Sequence, residues 1–111
     1  ADGVLIATPE YNYSIPGPLK NAIDWASRPA YESVFADKPV AVCGASPSPI
    51  GTARAQGHLK QILLGMAAKL FSYPEVTVPL ATSKFDGGKL QDDRTREQLT
   101  RFIASFSKSI G

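Results

Sequence analysis

The chain has 111 residues, 43% of them apolar and 20% charged, which suits one globular domain with a modest core. Twelve basic residues against ten acidic ones leave a net charge of +2, too even for a nucleic-acid binder, which carries a basic patch. One cysteine, Cys43, leaves no disulfide framework and no thiolate metal cluster, and favours a reducing, cytoplasmic setting. No apolar run is long enough to span a membrane, and Ala1-Asp2-Gly3 lacks the basic start of a signal peptide.

Val4-Leu5-Ile6-Ala7, between Gly3 and Thr8-Pro9, predicts a strand buried on both faces. Leu19, Ala22, Ile23 and Ala26 fall at helical spacing. Pro16 and Pro18 sit where a first turn tolerates them, and Arg28-Pro29 closes the segment. Trp25 is expected to pack, and Asp24 with Arg28 to form a surface pair. Pro39 to Gly44 predicts a second buried strand, with Cys43 as inert packing. Ala55, Leu59, Ile62, Leu63 and Met66 then draw one apolar stripe on a second helix. A third strand is expected over Glu75 to Val78. Thr82 to Asp93, centred on Gly87-Gly88, reads as a polar turn or short hairpin. A last helix runs from about Asp92 to Ser109, with Leu99, Phe102, Ile103, Phe106 and Ile110 as its buried face.

This β-α-β-α-β-α order implies a parallel sheet with right-handed crossovers, and residues 1–111 read as one structural unit. A doubly wound sheet normally holds more strands than three, so two upstream βα units are expected to be missing. Ligands bind such sheets at the carboxyl ends of the strands, which singles out Thr8 to Ser14 and Gly44 to Thr52.

The first of these loops and its helix read Thr8-Pro9-Glu10-Tyr11-Asn12-Tyr13-Ser14-Ile15-Pro16-Gly17-Pro18, then Leu19-Lys20-Asn21-Ala22-Ile23-Asp24-Trp25. The second continues as Gly51-Thr52-Ala53-Arg54-Ala55-Gln56, with His58-Leu59. Together they resemble the signature of the NAD(P)H-dependent FMN reductases, with their chromate/quinone reductase and azoreductase relatives. The resemblance implies an α/β, flavodoxin-like fold, here its last three βα units, with FMN as cofactor and NAD(P)H as co-substrate. It implies electron transfer to small molecules such as quinones, flavins, azo compounds or chromate, in a homodimer or homotetramer. On the same basis Pro9, Glu10, Tyr11, Asn12 and Tyr13 would lie along the flavin, and Ser46 would either touch the ring edge or serve as a plain turn residue. For Glu10 the backbone role is expected to outweigh the carboxylate. Arg54 and Glu75 would join a network between subunits, or Arg54 is simply a solvated helix arginine. His58 is expected to be structural or at the surface.

No side chain pairs a nucleophile with a base, so no catalytic residue and no metal site is expected; the chemistry belongs to the cofactor. The Ser/Arg/Asn-rich phosphate loop of the resembled family has no counterpart within residues 1–111, so this stretch alone is expected to bind FMN poorly. The rival readings are a non-enzymatic electron-transfer flavodoxin and an inactive piece of the fold.

Overall fold

A computed structural model describes residues 1–111, with the side chain of Tyr73 outside the description. In chain order come β1 (Val4–Ala7), α1 (Gly17–Ala26), β2 (Pro39–Ala45), α2 (Ala53–Gly65) and β3 (Lys69–Val78). A 3-10 turn (Ala81–Lys84), β4 (Phe85–Asp86), β5 (Lys89–Leu90) and α3 (Asp93–Ile110) complete the chain. The first three strands form a parallel sheet in the order β1-β2-β3, with Val4 opposite Val40 and Ala7 opposite Cys43. β4 and β5 are the expected hairpin, turned by Gly87 and Gly88, both at positive φ.

Side chains of β2 alternate between two cores. Val40 and Val42 pack with Ile23 of α1 and with Ala55, Leu59 and Leu63 of α2. Ala41 and Cys43 pack on the other side with Val76, Val78, Phe102 and Phe106. Helices therefore cover both faces, the arrangement that buries a parallel sheet. Phe71 meets Phe102 and Phe106 in tilted pairs, 5.8 and 5.4 Å between ring centroids, each worth about 0.5–1.5 kcal/mol beyond the buried area. Asp92 caps α3, accepting from the Thr95 backbone N–H at 3.0 Å.

Several expectations need correction. β1 is half-buried rather than buried on both faces: Val4 and Ile6 join the α1/α2 core, but Leu5 is 42% exposed. The reason is that α3 packs over β3, and no β1 residue belongs to its core. β3 starts at Lys69, well before Glu75, because a register shift hides its length. While β2 passes from Ala41 to Cys43, β3 passes from Phe71 to Val76, and Pro74 is accommodated in that irregular stretch of an edge strand. Trp25 does not pack; it is 80% exposed, since it falls off the stripe through Leu19 and Ile23. Asp24 pairs with Lys20 at 2.8 Å, one turn before it, instead of with Arg28. Ile103 is exposed beside buried Phe102, so the apolar stripe of α3 is wider than the surface it covers.

Candidate functional site

Parallel pairing of β1 with β2 brings their outgoing loops together at one end of the sheet. Thr8 N–H donates to the Cys43 carbonyl at 3.0 Å, extending the ladder into the first loop. The approach is so close that a Cβ on Gly44 would lie 2.3 Å from the Thr8 carbonyl oxygen and 2.4 Å from Thr52 Oγ1. Only glycine fits there.

The first loop then makes a tight reversal. Tyr11 and Ser14 exchange backbone hydrogen bonds of 2.9 and 3.0 Å, and both residues between them are left-handed, Asn12 at φ 50° and Tyr13 at φ 71°. Asparagine tolerates this conformation; a tyrosine there is strained, at a cost on the order of 1–2 kcal/mol. The result is a projecting two-residue turn that leaves Tyr11 59% and Tyr13 64% exposed. The amides of Asn12 and Tyr13 donate to no backbone or side-chain group among the described residues.

Helix α2 grips this turn. Glu10, whose side chain is 8% exposed, turns its carboxylate to the α2 N-terminus, where Oε1 accepts from Ala55 N–H at 2.8 Å. Thr52, the N-cap by position, makes no side-chain cap, so Glu10 supplies one from across the fold. Arg54 reaches the other carboxylate oxygen at 3.9 Å and lays its guanidinium 3.7 Å over the Tyr13 ring. His58 Nδ1 and Ser14 Oγ are hydrogen-bonded at 2.8 Å.

The second loop is fastened to the end of β3: Ser46 N–H donates to Val78 O, Ala81 N–H to Ser46 O and Leu80 N–H to Ser48 O. Buried Ser46 accepts from Ser48 N–H and donates to Ser48 Oγ, both at 3.1 Å, so its hydroxyl is engaged within the loop. Behind it, buried Gln56 donates from Nε2 to Thr52 Oγ1 and to Val76 O, each at 2.8 Å, tying α2 to β3 just past the register shift. Gln56 Oε1 meets no donor among the described residues.

The structure thus brings Pro9 to Tyr13 and Ser46 to one end of the sheet, on adjoining loops. The reading from sequence missed the Glu10 cap, the Ser14–His58 bond and Gln56. Only the pairing of a buried polar position with a helix N-terminus could have hinted at them. Among the described residues Arg54 and Glu75 form no ion pair with each other; Glu75 pairs with Lys60 at 2.8 Å. Burial pushes the Cys43 thiol above its ordinary value, which keeps it protonated and unreactive. Among the described residues, no helix is long and apolar enough to cross a membrane, and no group of three or more His, Cys, Asp or Glu is placed to hold a metal ion.

The donor set fits one part of a flavin mononucleotide and not another. Exposed tyrosine faces and undirected amides at the strand ends suit a planar ring with a polar edge. A phosphate needs an open helix N-terminus or nest. Here α1 begins with Pro16 and Pro18, which lack N–H groups, α2 is occupied by the Glu10 carboxylate, and α3 by Asp92. At α1 the Gly17 and Leu19 amides are the donors that remain, while the other two N-termini already face a carboxylate.

A parallel sheet covered on both faces by helices defines a doubly wound α/β protein of the flavodoxin-like kind, with the candidate site on the loops at the strands' carboxyl ends. The sequence pattern of the NADPH-dependent FMN reductase family matches residues 1–83, and the chain belongs to that family. An NAD(P)H-dependent FMN reductase of Pseudomonas aeruginosa is 54% identical over 107 residues, covering 96% of this chain and 57% of the relative. A 2-hydroxy-1,4-benzoquinone reductase of a Burkholderia species is 44% identical, covering 96% and 59%. Among solved structures, FerB, a flavoenzyme NAD(P)H:(acceptor) oxidoreductase of Paracoccus denitrificans, superposes with a TM-score of 0.88 at 41% identity, over 99% of this chain and 61% of that one. The chain therefore spans about three fifths of the length of the relatives it matches.

Proposed function

We propose that this chain is the ring-binding part of an FMN-dependent oxidoreductase that takes electrons from NAD(P)H and passes them to small acceptors. Quinones are the acceptor class the named relatives support best. Free flavins, azo compounds and chromate are further acceptors of the same proposal. The assembly is a cytoplasmic homodimer or homotetramer.

The observation that carries this reading is the Tyr11–Ser14 turn beside the Gly44–Thr52 loop. It offers unpaired amides and flat aromatic surface at the carboxyl end of a parallel sheet. FMN, when bound, supplies the hydride-accepting and electron-donating chemistry. The residues hold and orient it. Pro9 limits the loop's freedom. Asn12 and Tyr13 present backbone donors, and Tyr11 and Tyr13 present their rings. Glu10 acts through the cap it places on α2. Ser46 shapes the loop that flanks the ring edge.

The test is steady NAD(P)H oxidation by the full-length product of the gene encoding this chain, with a quinone as acceptor and FMN bound at stoichiometry. Purified full-length protein that neither retains FMN nor oxidises NAD(P)H would overturn the proposal.

A further inference from the structure

We propose that His58 is a positioning residue for the flavin-binding turn, an inference that rests on the functional reading above. The turn holds two successive non-glycine residues in the left-handed region. Such a backbone persists only where its surroundings over-determine it. Its own Tyr11–Ser14 bonds close the reversal but do not fix its direction. That direction is set from α2, at three points.

Glu10, just before the turn, is held by the Ala55 amide. Tyr13, within it, lies under Arg54. Ser14, at its end, is held by His58, one helical turn beyond Ala55. Both ends of the turn are thereby locked to one rigid element, and the unpaired Asn12 and Tyr13 amides are aimed by it. Of the three grips, only the Ser14–His58 bond secures the end that leads on to Ile15, Pro16 and α1. The Ser14 hydroxyl can donate to or accept from the ring nitrogen, so the link does not require a particular tautomer.

The test uses the full-length protein with His58→Ala, Ser14→Ala, the double variant, His58→Asn and His58→Gln. His58 is exposed, so its replacement leaves the core untouched. Asparagine sets a polar atom near the position of Nδ1, whereas glutamine sets one near Nε2. His58→Ala and Ser14→Ala should each weaken FMN binding about three- to tenfold, and the double variant no further. His58→Asn should restore most of the loss and His58→Gln should not. Amide exchange at Tyr11 and Ser14 should accelerate in His58→Ala, with or without flavin. Unchanged exchange at those amides, or single effects that add in the double variant, would overturn the inference. A wild-type protein that binds no FMN would instead refute the functional reading, and the exchange rates would still decide the clamp.

Discussion

Arg54 lies with its guanidinium 3.7 Å above the Tyr13 ring while one of its nitrogens stands 3.9 Å from Glu10. The two contacts need a planar cation. Arg54→Ala should therefore cost about 0.5–1 kcal/mol in urea unfolding, and Arg54→Lys should recover little of it, because an ammonium cannot stack and reach the carboxylate together. Tyr13→Phe should be neutral and Tyr13→Leu should match Arg54→Ala. Full recovery by lysine would show that charge alone matters.

Glu10 caps α2 from a distance in sequence that no local pattern spans. Glu10→Ala should lower stability by about 0.5–2 kcal/mol, the usual range for a lost cap, whereas Glu10→Gln keeps an acceptor and loses only the charge at the helix N-terminus. Urea midpoints would rank wild type, Gln and Ala in that order. Equal loss in both variants would place the effect in the charge rather than the hydrogen bond.

Gly44 separates two loops by the absence of a side chain. Gly44→Ala forces its methyl against the Thr8 carbonyl and the Thr52 hydroxyl, and a backbone oxygen cannot rotate away. The expected cost is about 1–3 kcal/mol or more, with weaker flavin binding because the two loops are driven apart. Wild-type stability in this variant would mean that β1 can shift along β2 at no cost.

Hydrogen bonds from the Thr95 hydroxyl and backbone amide hold the Asp92 carboxyl below its ordinary value of 3.8. A carboxylate shifted this way stabilises the fold at pH above its unfolded value, and that contribution fades as pH falls through the lower folded value. Asp92→Ala should melt earlier than wild type near neutral pH, and the gap should narrow on acidification below about 4. A gap that stays constant across this range would contradict the assignment.

With the N-termini of α2 and α3 facing carboxylates and that of α1 thinned of donors by Pro16 and Pro18, the 111-residue chain should not distinguish FMN from riboflavin. Titrations by fluorescence quenching should give weak affinities within about twofold of each other. Each charge-assisted phosphate contact is worth about 1.5–3 kcal/mol, so even one would produce roughly a tenfold preference for FMN. Such a preference would locate a phosphate site within these residues.

Much of this was legible in sequence because it is periodic. The stripe through Ala55, Leu59 and Leu63 reports its own buried face, the run Val4 to Ala7 reports a strand but not that one side of it is exposed, and the motif from Pro9 to Trp25 marks the family and the loop. What escaped is relational. The capping of α2 joins residues 45 positions apart, the Ser14–His58 bond 44, and the Gln56–Val76 tie 20. Trp25 shows the opposite error: it was expected to pack, although its position two residues past Ile23 turns it to the far side of the helix. The start of β3 was hidden because Ser72, Pro74 and Glu75 break the apolar pattern at the register shift.

The left-handed Tyr13 sets comfort against use. Glycine would suit its backbone best, and Tyr13→Gly would relieve the strain at the loss of an aromatic face and of the seat for Arg54. A library randomised at this position and selected for heat resistance should enrich glycine, while selection for turnover should return aromatics. Agreement between the two selections would mean that the ring has no work to do there.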